Sequence, residues 1–209
     1  MMDRTGELEG RVGKAERETK EVTIEVEIGL DGGPYDISLV VKEEEVNLGG
    51  LPLYTHLLAQ IFRHGELGGK IHGIGDRTHH LLEDVGICLG KAIAMALGDG
   101  IGIERMWHAR VPLEGSFGEV SLDFGGRGDS YFEFGQSANK EIAGMVQHIL
   151  KAMAHHGRFE IQCAVGRFNG APQSAHHEME ALAKAVGRSL QHATRITREG
   201  MVPSTKEVL

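Results

Sequence analysis

Two stretches of the chain, HHLLE at 79–83 and HHEME at 176–180, place adjacent histidines ahead of a glutamate and stand 97 positions apart. Imidazole nitrogens mixed with carboxylate oxygens suit a divalent first-row metal such as Mn, Fe, Co or Zn. On an α-helix residues i and i+4 share a face, so His79 can join Glu83, and His176 can join Glu180, on one ion. His80 and His177 point about 100° away from those faces. Each pair is therefore expected to donate one imidazole to each of two metal centres. His56 and His148, 92 positions apart, add to a set of six imidazoles and two carboxylates. A single HH pair among 12 histidines is ordinary, and its recurrence with the same glutamate is what points to metal. His64, His72, His108 and His192 lack patterned partners and read as surface or core residues. His155 and His156 precede a glycine at a helix end, where positive charge suits the helix dipole.

The elements that must hold these residues follow from the hydrophobic period. EVTIEVEIGL (21–30) alternates as a strand, and YDISLVVK (35–42) is expected to return as its hairpin partner. LPLYTHLLAQIFRHG (51–65) has helical spacing, GKIHGIG (69–75) is strand-like, and 78–100 is a long helix pattern from a Thr cap to a Gly stop. RMWHARVPL and FGEVSLDFGG then read as two strands, 138–157 as a helix, 158–166 as a strand and 174–195 as a helix. Each half thus runs strand, strand, helix, strand, helix, with the HHxxE motif opening the last helix both times. The expected fold class is α+β, with two pseudo-symmetric half-domains. Each would be a small, mostly antiparallel sheet with two helices on one face. The expected boundaries are an N-terminal extension at 1–16, half-domains at 17–104 and 105–196, and a C-terminal tail at 197–209.

Composition removes several function classes. A formal net charge of −8 argues against nucleic acid as a partner, because such binding needs a basic face. No apolar run reaches membrane-spanning length, and the charged N-terminus lacks the apolar centre of a signal peptide. Cys88 and Cys163 lie in apolar stretches and read as free, buried thiols. The expectation is a cytoplasmic protein without a membrane partner.

Several stretches together resemble imidazoleglycerol-phosphate dehydratase, an enzyme family of histidine biosynthesis. They are RETKEVTIEVEIGLDG (17–32), HHLLEDVGICLGKAIAMALGDGIGIER, GR at 126–127, HHEMEALAKAVGRSL and the terminal PSTKEVL. The resemblance implies removal of water from imidazole glycerol phosphate to give imidazole acetol phosphate, through a metal-bound imidazolate. It implies two manganese ions per active site, held by His56, His79, His80, Glu83, His148, His176, His177 and Glu180, with other divalent first-row metals as alternatives. Substrate-phosphate contacts carry over to Arg105, Arg127, Ser204 and Lys206, so the tail holds a phosphate-contact motif. Glu21 matches a glutamate that reaches the glycerol hydroxyls and is the candidate acid–base group, with Glu83 and Glu180 as the other catalytic candidates. The family further implies a homo-oligomer of 24 subunits with active sites between them.

The chain also departs from the family pattern. Thr55 stands where the family has an aspartate beside a ligand histidine, and Arg77 and Thr78 replace an acidic pair before the first HH. Gln162 stands for a histidine, the link before the second motif is lengthened to NGAPQSAHH, and the tail ends PSTKEVL rather than P-S-T-K-G. Carboxylates behind ligand histidines orient and tune them. The alternative is therefore a metal-binding paralogue on the same scaffold, with an altered substrate or only a structural or assembly role.

Overall fold

Apolar residues alternate inward along two adjoining stretches near the N-terminus, and these pair as an antiparallel hairpin, β1 (Val12–Glu18) with β2 (Val22–Gly29). In the computed structural model, which describes residues 8–43, 49–134, 137–204 and 206, the chain continues through β3 (Tyr35–Glu43), α1 (Leu51–His64), β4 (Gly68–Arg77) and α2 (Thr78–Leu97). The order then repeats as β5 (Met106–Leu113), β6 (Ser116–Asp123), β7 (Ser130–Glu133), α3 (Lys140–Gly157), β8 (Glu160–Arg167) and α4 (Ala175–Ala193). The two sheets have the matching orders β1-β2-β4-β3 and β5-β6-β8-β7. In each, only the last pair is parallel. The fold is α+β in two half-domains, as the sequence led one to expect.

Three details differ from the sequence reading. Residues 35–42 are not the hairpin partner of 21–30, because β4 lies between β2 and β3 and pairs with both. Local spacing suggests a hairpin, but the parallel β3–β4 pair is joined through α1, a crossover that no turn residue announces. Each half also holds one strand more than expected, β1 in the first and β7 in the second. Residues 12–16, assigned above to an N-terminal extension, lie in β1. Finally, Thr78 is the first helical residue rather than the cap, and Arg77 in extended conformation takes the cap position.

Helices pack across the halves, α1 on α4 and α2 on α3, with each sheet behind its own helices. The inward residues of β2 (Val22, Ile24, Val26, Ile28) and of β8 (Ile161, Cys163, Val165) close the core from either side. Gly90 of α2 lies against the Met153 carbonyl of α3, and Gly187 of α4 lies against the Ile61 carbonyl of α1. These glycines are again 97 positions apart. Each lets a pair of helix backbones meet without a Cβ between them, which fixes how the histidines upstream face one another.

The N-terminal hairpin is tied down by Arg11. Its guanidinium meets Asp31 Oδ1 at 2.6 Å and also donates to the Thr194 carbonyl beyond α4. The bond from Arg11 holds the Asp31 carboxyl below the usual aspartate range. A depressed carboxyl contributes stability above its unfolded pKa and loses it as pH falls through the folded value. Asp31 is partly exposed, so the solvent-screened contribution is small. Asp31→Asn is expected to lower stability by about 0.5 kcal/mol at pH 7. In urea titrations the gap from wild type should close below about pH 4.

Candidate metal centre

Strand β4 runs into α2 without a loop, so His79 and His80 fall in the first turn of α2. In the second half, Ser174 caps α4, its hydroxyl accepting from the His177 N–H at 3.2 Å. The i,i+4 geometry then places each glutamate one turn below the first histidine of its pair. His79 Nε2 lies 3.8 Å from Glu83 Oε2, and His176 Nε2 lies 3.1 Å from Glu180 Oε2. The partner helix supplies the third group. His148 Nε2 on α3 comes within 3.3 Å of Glu83 Oε2, and His56 Nε2 on α1 within 3.4 Å of Glu180 Oε2. The imidazoles are close in both, tilted at 5.0 Å between ring centroids for His79 and His148 and stacked at 5.4 Å for His56 and His176.

The result is two equivalent triads of two imidazoles and one carboxylate, each able to converge on one ion. His80 and His177 belong to neither, as the helical period requires. Within one chain each HHxxE helix is completed by a histidine from its own packing partner. His80 instead turns to Asp76, with Nδ1 at 2.8 Å from Oδ1, and to Glu21 at 3.8 Å. These three side chains make a further candidate ligand group. His177 Nδ1 is buried without a hydrogen-bond partner among the described residues.

The donor set fits a divalent metal. His148 Nε2 is buried, and although it is near Glu83 it makes no aligned hydrogen bond. That is the arrangement of lone pairs meeting at a common point rather than of a donor and an acceptor. Burial pushes the Glu180 carboxyl up, but bonds to Lys184 and His56 outweigh it, and its pKa is lowered. Among the described residues no softer sulfur ligand joins the site: Cys88 and Cys163 are free and buried elsewhere, and burial raises the Cys88 thiol to about 11.

The residues linked above to phosphate gather at the other end of the molecule. Arg105, just before β5, lies beside the last turn of α4, where its N–H donates to the Ala193 carbonyl at 2.8 Å. Its guanidinium spans Asp123 at 2.7 and 3.1 Å and donates to the Pro203 carbonyl at 2.8 Å. Pro203 precedes Ser204, whose hydroxyl accepts from the N–H of exposed Lys206 at 3.2 Å. Exposed Arg127 closes the turn whose Gly125 lies beside Arg105. Along α4 from His177 to Ala193 the axial separation is about 24 Å. One chain therefore presents the candidate metal ligands at one end, with Glu21 beside His80, and a separate cationic end.

Three residues that the sequence reading passed over help build the site. Lys184 Nζ binds Glu180 Oε1 at 2.8 Å, a signal visible as an i,i+4 pair. Its counterpart in the first half is Ile87, so the two triads differ in charge. Glu178, fully buried, accepts from Ser137 Oγ and Ala138 N at 2.9 Å and from Arg167 at 3.2 Å, joining the start of α4 to the entry of α3. Asp76, four residues ahead of His80 and bonded to it, is the third. Of the family departures, Thr55 bonds back to the Leu51 carbonyl at 3.2 Å, and Gln162 bonds Glu160 at 2.6 Å on the sheet surface.

Comparison with known proteins supplies the family. Residues 49–190 match the family model described as imidazoleglycerol-phosphate dehydratase. Among proteins bearing that name, the one from Dehalococcoides mccartyi strain CBDB1 is 37% identical, over 95% of this chain and 97% of its own length. A protein of that name from Thermus thermophilus is 38% identical, over 95% of this chain and all of its own length. The crystal structure of IGPD from Pyrococcus furiosus in complex with (S)-C348 superposes with a TM-score of 0.74 at 27% identity, covering 93% of this chain and 99% of that one. The Staphylococcus aureus N315 structure, at 23% identity and a TM-score of 0.72, supports the fold. Given the repeated triads, the two-half fold and these matches, the chain belongs to the imidazoleglycerol-phosphate dehydratase family of hydro-lyases.

Proposed function

We propose that the protein removes water from imidazole glycerol phosphate, giving imidazole acetol phosphate in histidine biosynthesis, with divalent metals held at the two His2Glu triads. The observation that carries this is the pair of equivalent triads, each with a histidine donated by the neighbouring helix. Manganese is the first metal to test. When bound, the metals supply Lewis acidity to the substrate's ring nitrogens, which the reaction needs because the proton lost is not next to a carbonyl.

The rest falls to the chain. Glu21 is exposed beside His80, so its carboxylate can exchange a proton at the carbon or hydroxyl that react. Loss of hydroxide and of that proton leaves an enol, which becomes the ketone. Arg127, Lys206 and Ser204 bind the phosphate, and Arg105, held by Asp123 and Pro203, shapes the tail around it. Because the metal and cationic ends of one chain lie far apart, a complete site draws on two copies, in keeping with a homo-oligomer of 24 subunits. His80 and His177 then serve metals shared with a neighbouring copy. The setting is the cytoplasm.

The test is conversion of imidazole glycerol phosphate after metal removal and Mn(II) restoration, read by formation of the ketone. Turnover must follow the metal. Metal binding without conversion would leave the scaffold with only a structural role. Arg127→Ala is expected to raise KM about 10–100-fold, the worth of a charge-assisted hydrogen bond. Its metal content should be unchanged by mass spectrometry.

A further inference from the structure

His80 is the one imidazole of the first motif outside both His2Glu triads of its own chain, yet it is not loose. Its Nδ1 is 2.8 Å from Asp76 Oδ1. The same oxygen accepts from the Arg77 N–H at 2.7 Å, and the Asp76 N–H donates to the Glu21 carbonyl at 2.9 Å. Asp76 is thus held at its backbone N–H and at Oδ1, on the last residues of β4 and one helical turn before His80. Glu21 is a poorer partner, at 3.8 Å. The second half shows no such device among the described residues: position 173 is Gln, and the equivalent Nδ1 of His177 has no hydrogen-bond partner there.

We infer that Asp76 is a positioning residue, which fixes His80 with its hydrogen on Nδ1 and directs the Nε2 lone pair away from Asp76, toward a metal shared with another copy of the chain. This rests on the function proposed above. An acceptor carboxylate behind a ligand imidazole sets the tautomer and ring orientation and raises the basicity of the other nitrogen. Asp76 supplies this from one residue ahead of Arg77 and Thr78, which carry no acid. It also occupies His80 Nδ1, leaving the Glu21 carboxylate to face substrate. The two centres are consequently unequal, with the His80 donor pre-oriented and the His177 donor not.

The test is Mn(II) titration of metal-free wild type, Asp76→Ala and Asp76→Asn, followed by calorimetry and by melting of the metal-free proteins. Asp76→Ala should weaken one class of Mn(II) sites by roughly 10–100-fold and leave the other class as in wild type. Asp76→Asn keeps an acceptor oxygen and should lose less. The metal-free melting temperatures should agree, and kcat should fall more than KM rises. Equal Mn(II) affinity in wild type and Asp76→Ala overturns the inference while leaving the proposed function standing. Affinity lost only in step with a lower metal-free melting temperature also overturns it, because the role is then structural. A wild type that binds no Mn(II) overturns both.

Discussion

Glu83→Gln abolishes dehydration and releases the metal held with His79 and His148, while the protein stays folded. Glutamine keeps the shape and an oxygen donor but removes the only negative charge among the three groups that meet there. Two neutral imidazoles and an amide are weak ligands for a hard divalent ion. Partners behind a ligand are worth 10–100-fold, so loss of the ligand itself should exceed about 100-fold in affinity and activity. Glu83 is half-exposed and its removal leaves no buried charge behind. Glu180→Gln differs in one respect, because Lys184 is mostly buried against it at 2.8 Å. That ammonium then loses its partner, and about 1–3 kcal/mol of stability should go as well. Metal analysis, turnover and melting of the two variants side by side check this, with a lower melting temperature expected for Glu180→Gln alone.

The second large effect is on assembly of the fold. Gly90→Val pushes two methyl groups toward the Met153 carbonyl of α3, in a gap that admits no Cβ. Replacing glycine within a helix gains up to about 1 kcal/mol of propensity, and less for a β-branched residue. Overpacking against backbone, which cannot rotate aside, costs about 3 kcal/mol or more and wins. With a net loss of about 2–3 kcal/mol, at about 2–4 °C per kcal/mol for a chain of this size, the melting temperature should fall by roughly 4–12 °C. Because α2 and α3 carry His79, Glu83 and His148, the same change should also loosen metal binding at that triad. Gly187→Val should do likewise to the triad of His56, His176 and Glu180. Retention of both melting temperature and metal affinity would show that the helix contact does not set the site.

Which parts of the molecule were legible in the sequence follows from where the information lies. Both HHxxE motifs, the helices they open and the half-domain duplication were readable, because side chains four apart share a helix face whatever the rest of the chain does. That His148 completes the first triad and His56 the second was not, since the pairing of α2 with α3 and of α1 with α4 is tertiary. Strand β1 (VGKAERE) was hidden because its inward residues are the small Gly13 and Ala15, packed under α2, so apolar alternation is faint. Strand β7 has only four residues and pairs in parallel with β8, whose sequence neighbour is a helix. Asp76 lies one residue ahead of the altered pair at 77 and 78, at the end of a strand, where no helical period announces its i,i+4 relation to His80.

The most direct measurement is complementation between variants impaired at opposite ends of the chain. Glu21→Gln disables the metal end and Arg127→Ala the cationic end, and each alone should dehydrate imidazole glycerol phosphate poorly. The two metal-free proteins are mixed, reassembled with Mn(II) and assayed at a substrate concentration below the wild-type KM. If each site takes Glu21 from one chain and Arg127 from another, the mixture recovers turnover well above the sum of its parents. A mixture that stays at that sum, although mass spectrometry shows the subunits exchanged, would contradict a site shared between chains.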